Sequence, residues 1–191
     1  MKDDNKTTKD KLIYTAVTVM AEKGVDLFAT KSVAERAGVS ESLLYKYFGT
    51  RGNFIRICYS TMLEQYCERI KTLSSLWHEG MSLSSSKDLW NAYIDILLEN
   101  KDRTVFMFDY VLSPRADQEA VRDTGNKLLA LNLNRKIRYS HPDLTDEMYI
   151  FRREAARIIG IGYAMSVIRS RFSDTEEMRE MLWDTVRGCV Q

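Results

Sequence analysis

Proline is almost missing from this chain of 191 residues: Pro114 and Pro142 are the only two, and nine glycines complete its strong turn formers. An all-β fold needs many short strands separated by such signals, so helices are expected to dominate. Histidine is equally scarce. A carboxylate metal enzyme built in a helical bundle needs Glu-x-x-His pairs on facing helices, and neither His78 nor His141 has a glutamate at that spacing. No GxSxG, HExxH, phosphate loop or dinucleotide fingerprint occurs either. The chain is therefore read as no enzyme, with no metal and no cofactor. Its cysteines, Cys58, Cys67 and Cys189, are odd in number and lack CxxC spacing, which suggests free thiols in a reducing compartment. At about 100° per residue, Cys58 and Cys67 fall on opposite sides of one helix and cannot pair there. Long apolar runs are also lacking. The longest, Ile158 to Ile168, is closed by Arg157 and Arg169 and falls short of the roughly eighteen residues that cross a bilayer. The opening MKDDNKTTKDK offers no apolar stretch for a signal peptide, so a cytoplasmic protein with no membrane partner is expected.

Strong charge of either sign is missing as well, since 28 Lys and Arg against 27 Asp and Glu leave a net charge of +1. Residues 1–55 hold nine basic and seven acidic side chains, a mild excess that permits a nucleic-acid partner without proposing one. What the chain does have is ordinary globular composition, 45% hydrophobic and 29% charged, in a length suited to one domain or two small ones sharing a core.

Helical periodicity runs through nearly all of it. Leu12, Ile13, Ala16, Val17, Met20 and Ala21 mark a helix over about residues 7–23 that Gly24 stops. Val33, Ala34 and Ala37 form a short stripe ended by Gly38, and Ser40 opens another through Leu44, Tyr47 and Phe48. After Gly49, Phe54 to Leu73 suggests a helix of about 25 residues, near 38 Å long. Ser74–Ser86 reads as a loop, with Ser85-Ser86-Lys87-Asp88 resembling a capping box before an amphipathic helix through Leu98. A short apolar helix spans Val105–Leu112, and a polar one runs from about Asp117 to Tyr139. A largely buried helix is expected over Ile150–Arg171, and Ser173-Asp174-Thr175-Glu176 matches a capping box for the last helix. The count is about nine helices and no strand.

One segment has the mechanics of a helix-turn-helix. In Val33-Ala34-Glu35-Arg36-Ala37-Gly38-Val39-Ser40, Ala34 is small where a second helix crosses, Gly38 can take the left-handed conformation that ends the first helix, and Ser40 can cap the second. An ordinary helical hairpin would satisfy this octet equally. The residues that follow, Leu43-Leu44-Tyr45-Lys46-Tyr47-Phe48-Gly49-Thr50-Arg51, crowd tyrosines and basic groups where a core hairpin needs none. Leu44 and Phe48 point inward at spacing four, leaving Glu41, Ser42, Tyr45 and Lys46 on other faces. Hydroxyl and ammonium groups near a helix N-terminus suit phosphate oxygens.

The stretch AERAGVSESLLYKYFGTRGNF, with the first-helix pattern and Gly24 before it, resembles the N-terminal domain of TetR-family transcriptional regulators over about residues 8–57. The resemblance implies an all-α protein: a three-helix DNA-binding domain over 1–52, and a helical effector-binding and dimerisation domain over 53–191. It implies that the helix after Ser40 enters the major groove of a double-stranded operator. Tyr45, Tyr47 and Arg51 fall where the family contacts phosphate, and Glu41, Ser42, Leu43 and Lys46 where it reads or approaches bases. Phe28-Ala29-Thr30 replaces the usual pair of threonines, so the cap is expected to shift to Thr30. Glu41 can accept from cytosine N4 or balance the helix dipole. The family behaves as a ligand-responsive repressor that binds a palindromic site as a homodimer.

For the homodimer, Ala156, Gly160 and Ala164 bare one face of the penultimate helix, although an intrachain contact has the same preference. Met178, Met181, Leu182 and Val186 offer apolar surface on the last. For the effector, Met62, Tyr66, Trp90, Tyr93, Phe106 and Tyr110 are the candidate lining, which suits a largely apolar or aromatic small molecule. Its binding is expected to displace the short helix at 105–112 and swing the long one before it. A dimeric helical adaptor that has lost DNA binding is the alternative, and it would have lost Tyr45, Lys46, Tyr47 and Arg51.

Overall fold

In the computed structural model, which describes residues 7–75, 83–121 and 143–190, the described residues form eight helices, a further helical stretch at 118–121, and no strand. The first, α1 (Thr8–Lys23), is opened by Thr7, whose hydroxyl accepts from the Asp10 amide while the Asp10 carboxylate accepts from the Thr7 amide. This reciprocal cap satisfies two amides that the helix cannot. α2 (Thr30–Ala37) and α3 (Glu41–Phe48) have eight residues each, too few to be stable alone. They are held by a common apolar seat of Leu12, Ala16 and Met20 from α1, Val33 and Ala34 from α2, and Leu44 and Phe48 from α3, all buried. The Phe48 ring lies 4.4 Å from that of Phe54 in α4 (Arg51–Ser75). Asn53 fastens the two helices together, its side-chain amide donating to the Phe48 carbonyl at 2.8 Å while its backbone amide donates to the Thr50 hydroxyl.

The turn forms as its residues predict. Gly38 is left-handed, with φ 72° and ψ 32°, and the Val39 amide reaches back to the Ala34 carbonyl. Ser40 caps α3 by accepting from the Leu43 amide at 3.3 Å. One cap differs from expectation. Thr30 is the first helical residue of α2, the cap position belongs to Ala29, and no side chain bonds there. The Thr30 hydroxyl is engaged by α3 instead.

Two compact units divide the chain. The first takes residues 1–65 and 102–125, so α1 to α3, α4 as far as Gln65, and α6 (Lys101–Leu112) from Asp102 onward belong together. This is not the chain-order division at 52/53, and the reason is the packing of α6. Tyr110 stacks on Tyr59 of α4 at 4.3 Å between ring centres. Thr18 of α1 donates to Asp102 at 2.6 Å. Just beyond α6, the Ser113 hydroxyl donates to Asp26 at 3.0 Å and Arg115 pairs with the same carboxylate at 2.9 Å.

The second unit takes residues 66–101 and 126–191, with the rest of α4, α5 (Leu83–Glu99), α7 (Asp146–Ile168) and α8 (Glu176–Val190). Here α5 packs on α7 and α8, and α7 on α8. Arg179 of α8 binds both Asp174 oxygens and reaches Asp95 of α5 at 2.7 Å. The Tyr163 hydroxyl donates to Asp174 at 2.6 Å, and Lys87 pairs with Glu180.

Several boundaries move from those the sequence suggests. α5 begins at Leu83, ahead of the serine pair. α6 begins at Lys101. α7 starts at Asp146, where Thr145 caps it by accepting from the Met148 amide, and ends at Ile168. Thr175, not Ser173, caps α8, because its hydroxyl accepts from the Met178 amide while Asp174 is committed to Tyr163 and Arg179. Of the polar helix expected from Asp117, residues 118–121 are helical and the remainder lies outside the described residues, as do His78 and His141. Among the described residues no helix is long and apolar enough to cross a membrane.

Gly38→Ala tests the turn. A Cβ there would meet only the Lys11 amine, at 4.0 Å, so the cost is the left-handed backbone alone. Urea denaturation should show a loss of about 1 kcal/mol. Gly52→Ala, in the first turn of α4 with open space around it, should instead stabilise by a fraction of that.

Candidate nucleic-acid interface

The two inward side chains of α3 fix what the helix presents outward. With Leu44 and Phe48 buried, Ser42, Tyr45, Lys46 and Tyr47 are exposed and Leu43 is half-buried. Tyr45 and Tyr47 leave 39% and 44% of their surface in water. Ser40 stands at the N-terminus beside them, its hydroxyl 2.9 Å from that of Ser42. Hydroxyls, an ammonium group and free helix-terminal amides thus share one face, a set suited to phosphate oxygens.

Behind that face lies a hydrogen-bond chain whose direction can be worked out. The Thr30 hydroxyl donates to Glu41 Oε1 at 2.6 Å and is 3.1 Å from the Tyr45 hydroxyl. A carboxylate only accepts, and threonine has one hydroxyl hydrogen. That hydrogen is on Glu41, so the Tyr45 hydroxyl must donate to Thr30. Tyr45 in this arrangement can accept but has no hydrogen left for a phosphate. Glu41 is therefore an internal anchor that ties α2 to α3, and not a side chain held ready for a base edge.

Arg51 is also turned inward. Its Nη2 donates to the carbonyls of Val25, Asp26 and Phe28 at 3.2 to 3.3 Å, and its guanidinium lies over the Phe28 ring at 4.5 Å. Burial, with the nearby Arg115 charge, pulls its pKa down. The residue that the sequence assigns to phosphate braces the α1–α2 loop. Asp26 of that loop is held a second time through Ser113 and Arg115. These partners lie 87 residues from Asp26 in the case of Ser113, and no local pattern announces them. Lys11, whose amine lies beside the Gly38 turn, was equally hidden among the charges of α1.

The remaining candidates are distributed as follows. Met62, Phe106 and Tyr110 belong to the first unit, where Met62 and Phe106 are buried and Tyr110 stacks on Tyr59 while its hydroxyl accepts from the Asp117 amide at 2.9 Å. Tyr66, Trp90 and Tyr93 belong to the second. Ala156, Gly160 and Ala164 are buried, and a Cβ on Gly160 would stand 2.8 Å from Tyr93 Cε1 and 3.2 Å from Trp90 Cη2, so this bare face seats α5 of the same chain. Leu182 and Val186 are buried, Met178 is half-buried, and Met181 is exposed. Cys58 is buried and its thiol pushed far up by burial, which leaves it unreactive.

Residues 12–56 match the family described as bacterial regulatory proteins, tetR family. The chain is 24% identical over 131 residues to the HTH-type transcriptional regulator HbdR of Aromatoleum sp. (strain CIB), a match covering 68% of this chain and 56% of that protein's length. A TetR family transcription regulator from Marinobacter aquaeolei VT8 superposes with a TM-score of 0.74 at 15% identity, over 96% of this chain and 95% of that one. A transcriptional regulator from Rhodococcus sp. Rha1 gives 0.70 at 18% identity, over 96% of each. Likeness at such identities is one of fold, and it extends over both units.

The two inward residues give opposite expectations in DNA-binding titrations. Glu41→Ala should return the Thr30 hydrogen to Tyr45, free the tyrosine hydrogen, and strengthen binding to every sequence by about tenfold, the worth of one charge-assisted hydrogen bond. Tyr45→Phe in that background should remove the gain. Arg51→Met should lower the head's stability by about 1 to 3 kcal/mol in thermal melts and leave the salt dependence of binding as it was, whereas Lys46→Ala should reduce that slope by about 1. A reduced slope for Arg51→Met would return it to the phosphate contacts.

Proposed function

We propose that this chain, a TetR-family transcriptional regulator, represses transcription as a homodimer on a palindromic double-stranded operator and lets go when a small effector binds. The observation that carries this reading is the outward face of α3, where Ser42, Tyr45, Lys46 and Tyr47 surround a helix start capped by Ser40. Neither catalytic machinery nor a membrane has any part in it, and the cytoplasm is its place of action.

Dimerisation needs an apolar surface that the chain does not cover itself. On α7, Phe151 and Ile158 are 73% and 61% exposed, and on α8 Met181 is 59% exposed. Phe151, Ala155, Ile158 and Gly162 follow helical spacing along one line of α7, and nothing stands within 4 Å of a Cβ placed on Gly162. Met181, Thr185 and Gly188 form a similar line on α8. The last two helices remain the dimer surface in this reading, but by this face and not by Ala156, Gly160 and Ala164. A two-fold pair would bring two copies of α3 to two half-sites.

Effector binding acts on the head through α6. Support comes from the ties of α6 and its sequel to the head: Thr18 with Asp102, and Asp26 with Ser113 and Arg115. A ligand that favours a displaced α6 pulls on the α1–α2 loop that Arg51 and Asp26 hold. It must bind the released conformation more tightly, since equal affinity would shift nothing.

Selection of bound sites from random duplexes by the full chain tests the reading. It should yield an inverted repeat whose affinity falls steeply with salt. Enrichment of no sequence would favour the adaptor. Phe151→Asp with Ile158→Asp should give folded monomers in sedimentation velocity and lose the operator, while Gly160→Leu should unfold the second unit before it affects association. A full-strength dimer in the double variant would place the interface elsewhere.

A further inference from the structure

The second unit contains polar atoms that have been taken out of water and given nothing in return. Trp90 Nε1, Asn91 Oδ1 and Arg152 Nη1 are buried and make no hydrogen bond, and the buried Tyr93 hydroxyl, toward which Tyr66 donates, has no acceptor for its own hydrogen. Buried polar groups in folded proteins are nearly always paired, because an orphan loses its hydration without compensation. Four of them on α5 and α7 of one small unit call for a missing partner.

Their surroundings say what kind. Trp90 and Tyr93 are neighbours, with ring centres 5.3 Å apart, and both lie against the bare backbone of Gly160. Arg152, Ala156 and Gly160 recur every four residues, so the arginine shares this face of α7. Arg157, paired with Glu154 at 2.8 Å, adds a cation close enough to act on the hydroxyls of Tyr66 and Tyr93. Those two hydroxyls influence each other, and burial holds both in the protonated, donating form. Of the four orphans, Trp90 Nε1 and Arg152 Nη1 can only donate, the Tyr93 hydroxyl can donate, and Asn91 Oδ1 alone accepts, so donors outnumber acceptors three to one. A partner for these three donors must be rich in acceptors and, beside the Arg152 guanidinium, negative, since Glu154 already answers Arg157. Its remainder must tolerate two aromatic walls and a helix without side chains at Gly160.

We infer that the second unit holds a site for an aromatic carboxylic acid, its carboxylate taking the Trp90, Tyr93 and Arg152 donors and its ring lying along Trp90 and Tyr93. This rests on the effector reading above and narrows it: the apolar, aromatic body expected from the sequence stays, and one end becomes acidic. Three of the six residues first assigned to the lining, Tyr66, Trp90 and Tyr93, are retained. Arg152 is the addition. A carboxylate is favoured over a neutral acceptor because two oxygens with several lone pairs can answer three donors at once, and charge-assisted bonds are the strong ones.

Calorimetric titration of the full chain with naphthalene-2-carboxylate, its primary amide and naphthalen-2-ylmethylamine separates the possibilities. The acid should bind about tenfold or more tightly than the amide, and the amine most weakly. Arg152→Met and Trp90→Phe should each erase most of the gap between acid and amide. Arg152→Met should melt no lower than the parent, since it removes an orphan; a purely structural arginine would lower the melt. Equal binding of acid and amide, a gap that both substitutions leave intact, or no binding of the acid at millimolar concentration each overturn the site, the last meaning that water alone satisfies the orphans. Operator titration in the same samples keeps the two readings apart. If the acid binds with the expected gap but the operator stays bound, the site stands and the effector role falls. If the amide releases the operator as readily as the acid does, the effector role stands and the acid site falls.

Discussion

Everything this protein offers to the outside of its N-terminal head depends on where Leu44 and Phe48 are seated. A helix of eight residues has little stability of its own, and α3 exists because those two side chains are buried in the apolar interior of the head, Phe48 against the Phe54 ring. Burying them contributes roughly 2 to 3 kcal/mol each by transfer from water. It also fixes the rotation of α3 about its axis. With Leu44 and Phe48 down, Tyr45, Lys46 and Tyr47 have no choice but to face outward. The chemistry of the surface is thus set by the packing beneath it.

The polar groups near that surface are arranged with an economy that a list of residue types would miss. Asp26 is held from two directions, its carbonyl by Arg51 and its carboxylate by Ser113 and Arg115. Arg51 holds the loop from the start of α4, and the residues after α6 hold it from the other end of the sequence of elements. The loop between α1 and α2 therefore reports the position of both. Thr30 has a parallel role on a smaller scale. Its single hydrogen decides whether Tyr45 can donate, and Glu41 decides where that hydrogen goes. In both cases a group that looks poised for DNA is in use inside the head.

In the second unit the deciding constraint is the close approach of α5 to α7. Gly160 admits Trp90 and Tyr93 to within a distance that any side chain would forbid. That contact turns Ala156, Gly160 and Ala164 inward and leaves Phe151, Ile158 and Gly162 outward. Both stripes are apolar or small and both recur at helical spacing. Periodicity alone gives two equally good faces for an interface, and only the presence of α5 on one of them separates the two.

The helical character, the turn at Gly38, the cap at Ser40 and the inward pair Leu44 and Phe48 are all legible in the sequence, because each is written within eight or so consecutive residues. Local signals of this sort depend on backbone preference and side-chain period, which a sequence displays directly. The division into units, the inward turn of Arg51, the tie of Thr30 to Glu41 and the seating of Gly160 against Trp90 could not be read. Each joins elements whose spacing along the chain says nothing about their distance in space. A hydroxyl, carboxylate or guanidinium can point equally to solvent, to DNA or to a neighbouring carbonyl. The sequence determined which groups the head and the second unit would possess; the packing of distant helices decided which of them remain available to bind.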